Sequence, residues 1–121
     1  MLDAVAAIGF DDPVSMVRVP SMHQAFAITF ACGAVLVLNC LGSVAKTFHL
    51  SVFGGQGHVH VDLHDNFTAF RRTLGAFLQM VRDGIPPIDP EQVINTMCLI
   101  QLAQSLQIGQ EVKLVRHAKN L

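Results

Sequence analysis

The chain has 121 residues, about half of them hydrophobic and only 14% charged, with a formal net charge of −1 and a mean hydropathy of +0.45. That length fits a single domain, residues 1–121, with one modest core. The near-zero charge leaves no electrostatic footprint for nucleic acid, and the apolar excess over one small core points to a partner surface or a membrane.

Three cysteines, Cys32, Cys40 and Cys98, give an odd count with no C-x-x-C pair. This pattern predicts free, buried core or interface thiols in a reducing compartment, hence a cytoplasmic protein. Met1 leads into LDAVAAIGFDD without a basic segment, so no signal peptide is read. The mildly basic tail from Lys113 to Lys119 reads as a solvated end.

In chain order, residues 2–8 read as the end of a helix, stopped by Gly9 and the Asp-Asp-Pro that follows. Residues 14–19 read as a strand closed by Pro20. Residues 25–45 then run 21 positions without a charge, long enough to span a bilayer. Period-two alternation of Phe26, Ile28 and Phe30, and of Leu36 and Leu38, with Gly33 at the midpoint, instead predicts a hairpin over 23–31 and 34–40 and no membrane contact. Further strands are predicted over 47–53 and 57–63, joined by the turn Gly-Gly-Gln-Gly.

The period then shifts from two to 3.6. Phe67, Phe70, Leu74, Phe77, Leu78 and Val81 form the apolar stripe of a helix capped at Asp65 or Asn66 and closed by Gly84. After Ile-Pro-Pro-Ile, a second helix is predicted with Asp89 as N-cap, Pro90 first and Gln92 completing a capping box. Val93, Ile94, Met97, Ile100 and Leu106 would face the core, and residues 111–116 would form a last strand after Gly109. The fold class is α+β: an open-faced, mostly antiparallel sheet with two C-terminal helices packed on one face.

The two faces of such a sheet differ. The bulky side chains, from Phe26 through Leu63, fall on the side that the helices would cover. The reverse carries Ala25, Ala27, Thr29, Val35, Val37, Asn39, His49, Ser51, His58, His60 and Asp62, which are small, mixed and poor in charge. Ala27, Thr29, Val35, Val37, His49, Ser51, His58, His60 and Asp62 therefore form a candidate mating face for a homodimer.

Within that face, Gly-His-Val-His-Val-Asp-Leu-His-Asp packs three histidines and two aspartates into nine residues. On a strand, His58, His60, Asp62 and His64 point one way, and His49 is the best third ligand from a neighbouring strand. The spacing approaches H-x-H-x-D-H, the zinc-ligand run of the metallo-β-lactamase superfamily, but Leu63 separates Asp62 from His64 and the strand continues. A polar cluster hydrogen-bonded across a dimer is the preferred expectation, and a metal at His49, His58 and His60 the weaker alternative. No Cys–His nucleophile pair can be assembled, and Arg71 and Arg72 read as a solvated helix face.

The order of these elements resembles the C-terminal domain of the Gfo/Idh/MocA family of NAD(P)-dependent oxidoreductases. AFAITFACGAVLVLNC is similar to that family's strand, turn and strand; FHLSVFGGQGHVHVDLHD is similar to its next hairpin; and the segment from Phe70 to Leu114 is similar to its closing helix, Pro-Pro loop, second helix and strand. MLDAVAAIG resembles the family's H-x-x-D helix just after the histidine, with Asp3 matching the aspartate. The resemblance implies a substrate-recognition and oligomerisation domain. It also implies NAD(P) for a full-length relative. This chain has no G-x-G-x-x-G turn and no matching catalytic lysine or histidine, so the expectation is no dinucleotide-binding domain, no cofactor bound and no activity alone. The expected partners are a second copy or a full-length paralogue that the chain would modulate.

Overall fold

The structure is a computed structural model that describes residues 12–45 and 48–114. Asp3, the predicted helix over 2–8, Thr47 and the end of the predicted last strand at residues 115 and 116 lie outside the described residues.

The described elements are β1 (Pro13–Val19), β2 (Gln24–Phe30), β3 (Val35–Cys40), β4 (His49–Gly54), β5 (Gly57–Asp62), helix α1 (Asn66–Asp83), helix α2 (Pro90–Ser105) and β6 (Glu111–Lys113). The fold is α+β with open antiparallel sheets. The strands divide into a four-stranded sheet, ordered β3-β2-β1-β6, and a separate hairpin, β4-β5. That division corrects the expectation of one continuous sheet. The chain clusters into two compact units, one made of Met1–Ser43 with Pro90–Leu121 and the other of Val44–Asp89.

In the first unit the alternation of residues 25–45 is realised as the antiparallel pair β2-β3, with Phe26 opposite Leu38 and Ile28 opposite Leu36. Four residues, 31–34, connect them. The amide of Phe30 donates to Ala34 O at 2.9 Å, that of Gly33 donates to Phe30 O at 2.9 Å, and Gly33 has φ +85°. A residue with a Cβ is strained there, which is why glycine sits at that point of the loop. Among the described residues no helix is long and apolar enough to cross a membrane.

β1 lies between β2 and β6, with a register irregularity at Pro13–Ser15, where proline cannot donate to a ladder. Beyond the short β6, Leu114 N donates to Val14 O and Arg18 N to Gln110 O, which extend the attachment to β1. Gly109, at φ +78°, turns the chain out of α2, and its amide donates to Arg18 O at 2.8 Å.

The core of this unit is Met16, Phe26, Ile28, Phe30 and Leu106, with Leu36, Leu38, Leu99, Ala103 and Val112 packed against it. The bulky face predicted for β2 and β3 is thus the buried one. The face of α2 differs from expectation. Thr96 is buried, Leu99 and Ala103 are half-buried, and Val93, Ile94, Met97 and Ile100 are exposed. The helix is apolar nearly all round, so two stripes compete, and the one with the smaller Thr96 and Ala103 lies against the sheet.

In the second unit, Asp65 caps α1 by accepting from Thr68 N, and Gly84 closes it in the left-handed conformation. The amphipathic stripe is where the sequence placed it, but no residue of α1 is buried. Phe67 is 76% exposed and Phe70 67%.

Candidate functional site

The two-residue loop Gly55-Gln56 fixes the register of the β4-β5 hairpin: His49 opposite Asp62, Leu50 opposite Val61, Ser51 opposite His60, Val52 opposite Val59 and Phe53 opposite His58. Because successive side chains alternate, this register gathers His49, Ser51, Phe53, His58, His60 and Asp62 on one face. All six are exposed or half-buried.

Four of them, Asp62, His49, Ser51 and His60, form a continuous hydrogen-bonded chain. His49 Nδ1 lies 2.8 Å from Asp62 Oδ1, His49 Nε2 lies 2.6 Å from Ser51 Oγ, and Ser51 Oγ lies 2.8 Å from His60 Nδ1. The bond from His49 holds the Asp62 carboxyl below the usual carboxylate range, so at neutral pH Asp62 can only accept. Nδ1 of His49 must then carry the proton it donates. In the neutral imidazole Nε2 is left as an acceptor, and it takes the hydroxyl proton of Ser51. The single serine proton being committed, His60 Nδ1 is the donor to Ser51 Oγ. The aromatic groups lie close together: His49 and His60 are 5.7 Å apart between ring centroids, His58 and His60 5.1 Å, and Phe53 stands edge-on to His60 at 5.7 Å.

The structure therefore brings together five of the predicted face residues on one hairpin: Asp62, His49, Ser51 and His60 are hydrogen-bonded to one another, and His58 joins them through its ring contact with His60. Ala27, Thr29, Val35 and Val37 belong to the other unit, on the four-stranded sheet. There Val35 and Val37 are exposed and Ala27 and Thr29 half-buried, while Ala25, expected on the same open face, is buried. His49 has both ring nitrogens engaged and so has no free lone pair for a metal. Among the described residues no group of three or more His, Cys, Asp or Glu is placed to hold a metal ion.

Cys32, Cys40 and Cys98 are free, as expected, and all exposed, which corrects the expectation that they belong to the core. Cys32 is in the hairpin turn, Cys40 ends β3, and Cys98 points away from the stripe of α2 that carries Thr96 and Leu99. Cys40 borders an open apolar hollow of about 200 Å³ in the first unit, lined also by Met16, Phe26, Ile28, Leu38 and Ala103.

Sequence reasoning missed two features. Ser51 is the bridge between the histidines, a role visible only once the register sets it opposite His60. Arg18 Nη1 donates to Leu106 O at 2.8 Å, tying β1 to the C-terminal end of α2, where orphan carbonyls attract a cation.

No family model, no curated protein and no solved structure matches the chain.

Proposed function

We propose that the chain is a self-associating module with the element order of a Gfo/Idh/MocA substrate and oligomerisation domain, working as a homodimer and binding no nicotinamide cofactor by itself. In a full-length relative such a domain would act beside an NAD(P)-binding half. The observation that carries the reading is the apolar surface left open in each unit. Val35 and Val37 stand 60% and 59% exposed on the four-stranded sheet, and Phe67, Phe70, Leu74, Phe77, Leu78 and Val81 stand 47–76% exposed along α1. Surfaces of this kind, apolar and nearly free of Lys and Glu, are characteristic of the centre of a protein interface. A second copy is the favoured occupant because any surface of the chain is available, in equal concentration, to its twin.

Light scattering on the eluting chain at micromolar concentration should give twice the chain mass, and adding NADH or NADPH should leave the nicotinamide fluorescence unchanged. A monomer mass across the accessible concentration range would remove self-association. Saturable nucleotide binding would remove the cofactor-free part of the reading.

A further inference from the structure

The hairpin face holds an arrangement that the self-association reading does not use. A carboxylate, an imidazole and a hydroxyl stand in line, Asp62 Oδ1–His49 Nδ1 at 2.8 Å and His49 Nε2–Ser51 Oγ at 2.6 Å. This is the hydrogen-bond logic by which a serine is made a nucleophile: the carboxylate fixes the tautomer, and the imidazole takes the proton as the oxygen attacks. The fourth member, His60, donates from Nδ1 to the same Ser51 Oγ at 2.8 Å.

We propose that Ser51 is an acyl-accepting nucleophile and that the Ser51–His49–Asp62 face takes activated esters with a short acyl chain and an aryl leaving group. Ser51 Oγ forms a bond to the ester carbonyl carbon while its proton passes to His49 Nε2. The imidazolium so formed is stabilised by Asp62. His60 Nδ1–H, already within 2.8 Å of the attacking oxygen, donates to the oxyanion that develops on the same carbon. The carbon–oxygen bond to the aryl oxide breaks, and the aryl oxide leaves with the proton held by His49. A water molecule then attacks the acyl-serine and gives its proton to His49. The bond to Ser51 Oγ breaks, the proton returns to that oxygen, and the carboxylic acid is released. Ester and water become acid and phenol, with no oxidant or further reactant.

The aryl preference comes from Phe53, whose exposed ring packs at 5.7–6.1 Å against the rings of His58 and His60 and offers a stacking platform beside the nucleophile. The short acyl chain follows from the openness of the face among the described residues, where the side chains of His49 and Asp62 are 48% and 70% exposed and a long chain would gain little apolar contact. An open face excludes little water, so the reaction is confined to esters with good leaving groups.

The test is incubation of the full chain with p-nitrophenyl acetate, following nitrophenolate release and locating the acetyl group by peptide mass mapping. The expected result is a burst of nitrophenolate with acetyl on Ser51. Ser51→Ala should abolish the burst, Ser51→Cys should retain it, and Asp62→Asn should slow it by about tenfold or more through the wrong imidazole tautomer. Acetyl found only on histidines or lysines overturns the proposal, as does the absence of a burst. A burst whose rate is the same in Asp62→Asn as in the natural chain removes the carboxylate–imidazole relay and with it the assignment.

Discussion

Ile28 and Ser51 show what a single residue's neighbours decide. Ile28 was placed on the buried side by alternation alone, and the structure leaves it 0% exposed at the centre of the cluster with Met16, Phe26 and Phe30. Ile28→Ala removes three buried carbons from the middle of a small core and should destabilise the four-stranded unit by about 2–5 kcal/mol. Urea denaturation checks this, and a loss under about 0.5 kcal/mol, the scale of a surface change, would mean that the site is not core. Ser51 was placed just as well by alternation, on the polar face, but its partners are cross-strand. Face follows from spacing within one strand; partnership depends on register, and register depends on how many residues the turn consumes. The cysteines failed for a different reason. Their chemical type favours burial, but Cys32 was carried to the surface by the turn it occupies and Cys98 by the stripe of α2 that its helix left outside.

At the scale of the element, capping chemistry was the clearest signal in the sequence. Asp65 and Gly84 bound α1 as predicted, and Pro90 opens α2. The stripe of α1 was equally plain, since aromatic and leucine side chains recur at three and four residues between polar ones. In α2 the signal was ambiguous, because apolar residues surround the helix and periodicity then ranks the bulkier stripe first. The sheet partition was not legible at all. Strand existence can be read from alternation, but which strands hydrogen-bond into one sheet depends on contacts distant in sequence. The N-cap of α1 carries a pH dependence whose sign is fixed. The Asp65 carboxylate accepts from the Thr68 amide, which holds its pKa below the usual range. Its contribution is complete above the ordinary aspartate pKa of about 3.9 and is lost as pH falls through the depressed folded value. Circular dichroism should therefore show helix content falling as pH drops below about 4, with Asp65→Asn, which keeps an acceptor, flattening that change. An identical acid profile in Asp65→Asn would show that the cap does not govern α1.

On the scale of the whole molecule, α1 poses the sharpest physical problem. It has 18 residues and buries none of them, and a helix without a tertiary face is marginal in water even with good caps, because most helical stability in proteins comes from packing. Phe67, Phe70 and Phe77 are exposed on it, each an aromatic surface that burial would stabilise by about 1.5–3 kcal/mol. A second copy laying the same stripe against this one would supply the missing packing, and it makes helix formation in 66–83 a function of concentration. Amide exchange in 66–83 should be fast in dilute solution and slow in concentrated solution, while β1, β2 and β3, which have their own core, should be protected at both. Phe70→Glu combined with Phe77→Glu keeps good helix formers but interrupts the stripe, so it should abolish the concentration dependence and leave a monomer. If 66–83 is equally protected at every concentration and the double variant exchanges like the natural chain, α1 is held by something other than its twin, and the stripe is not the mating surface.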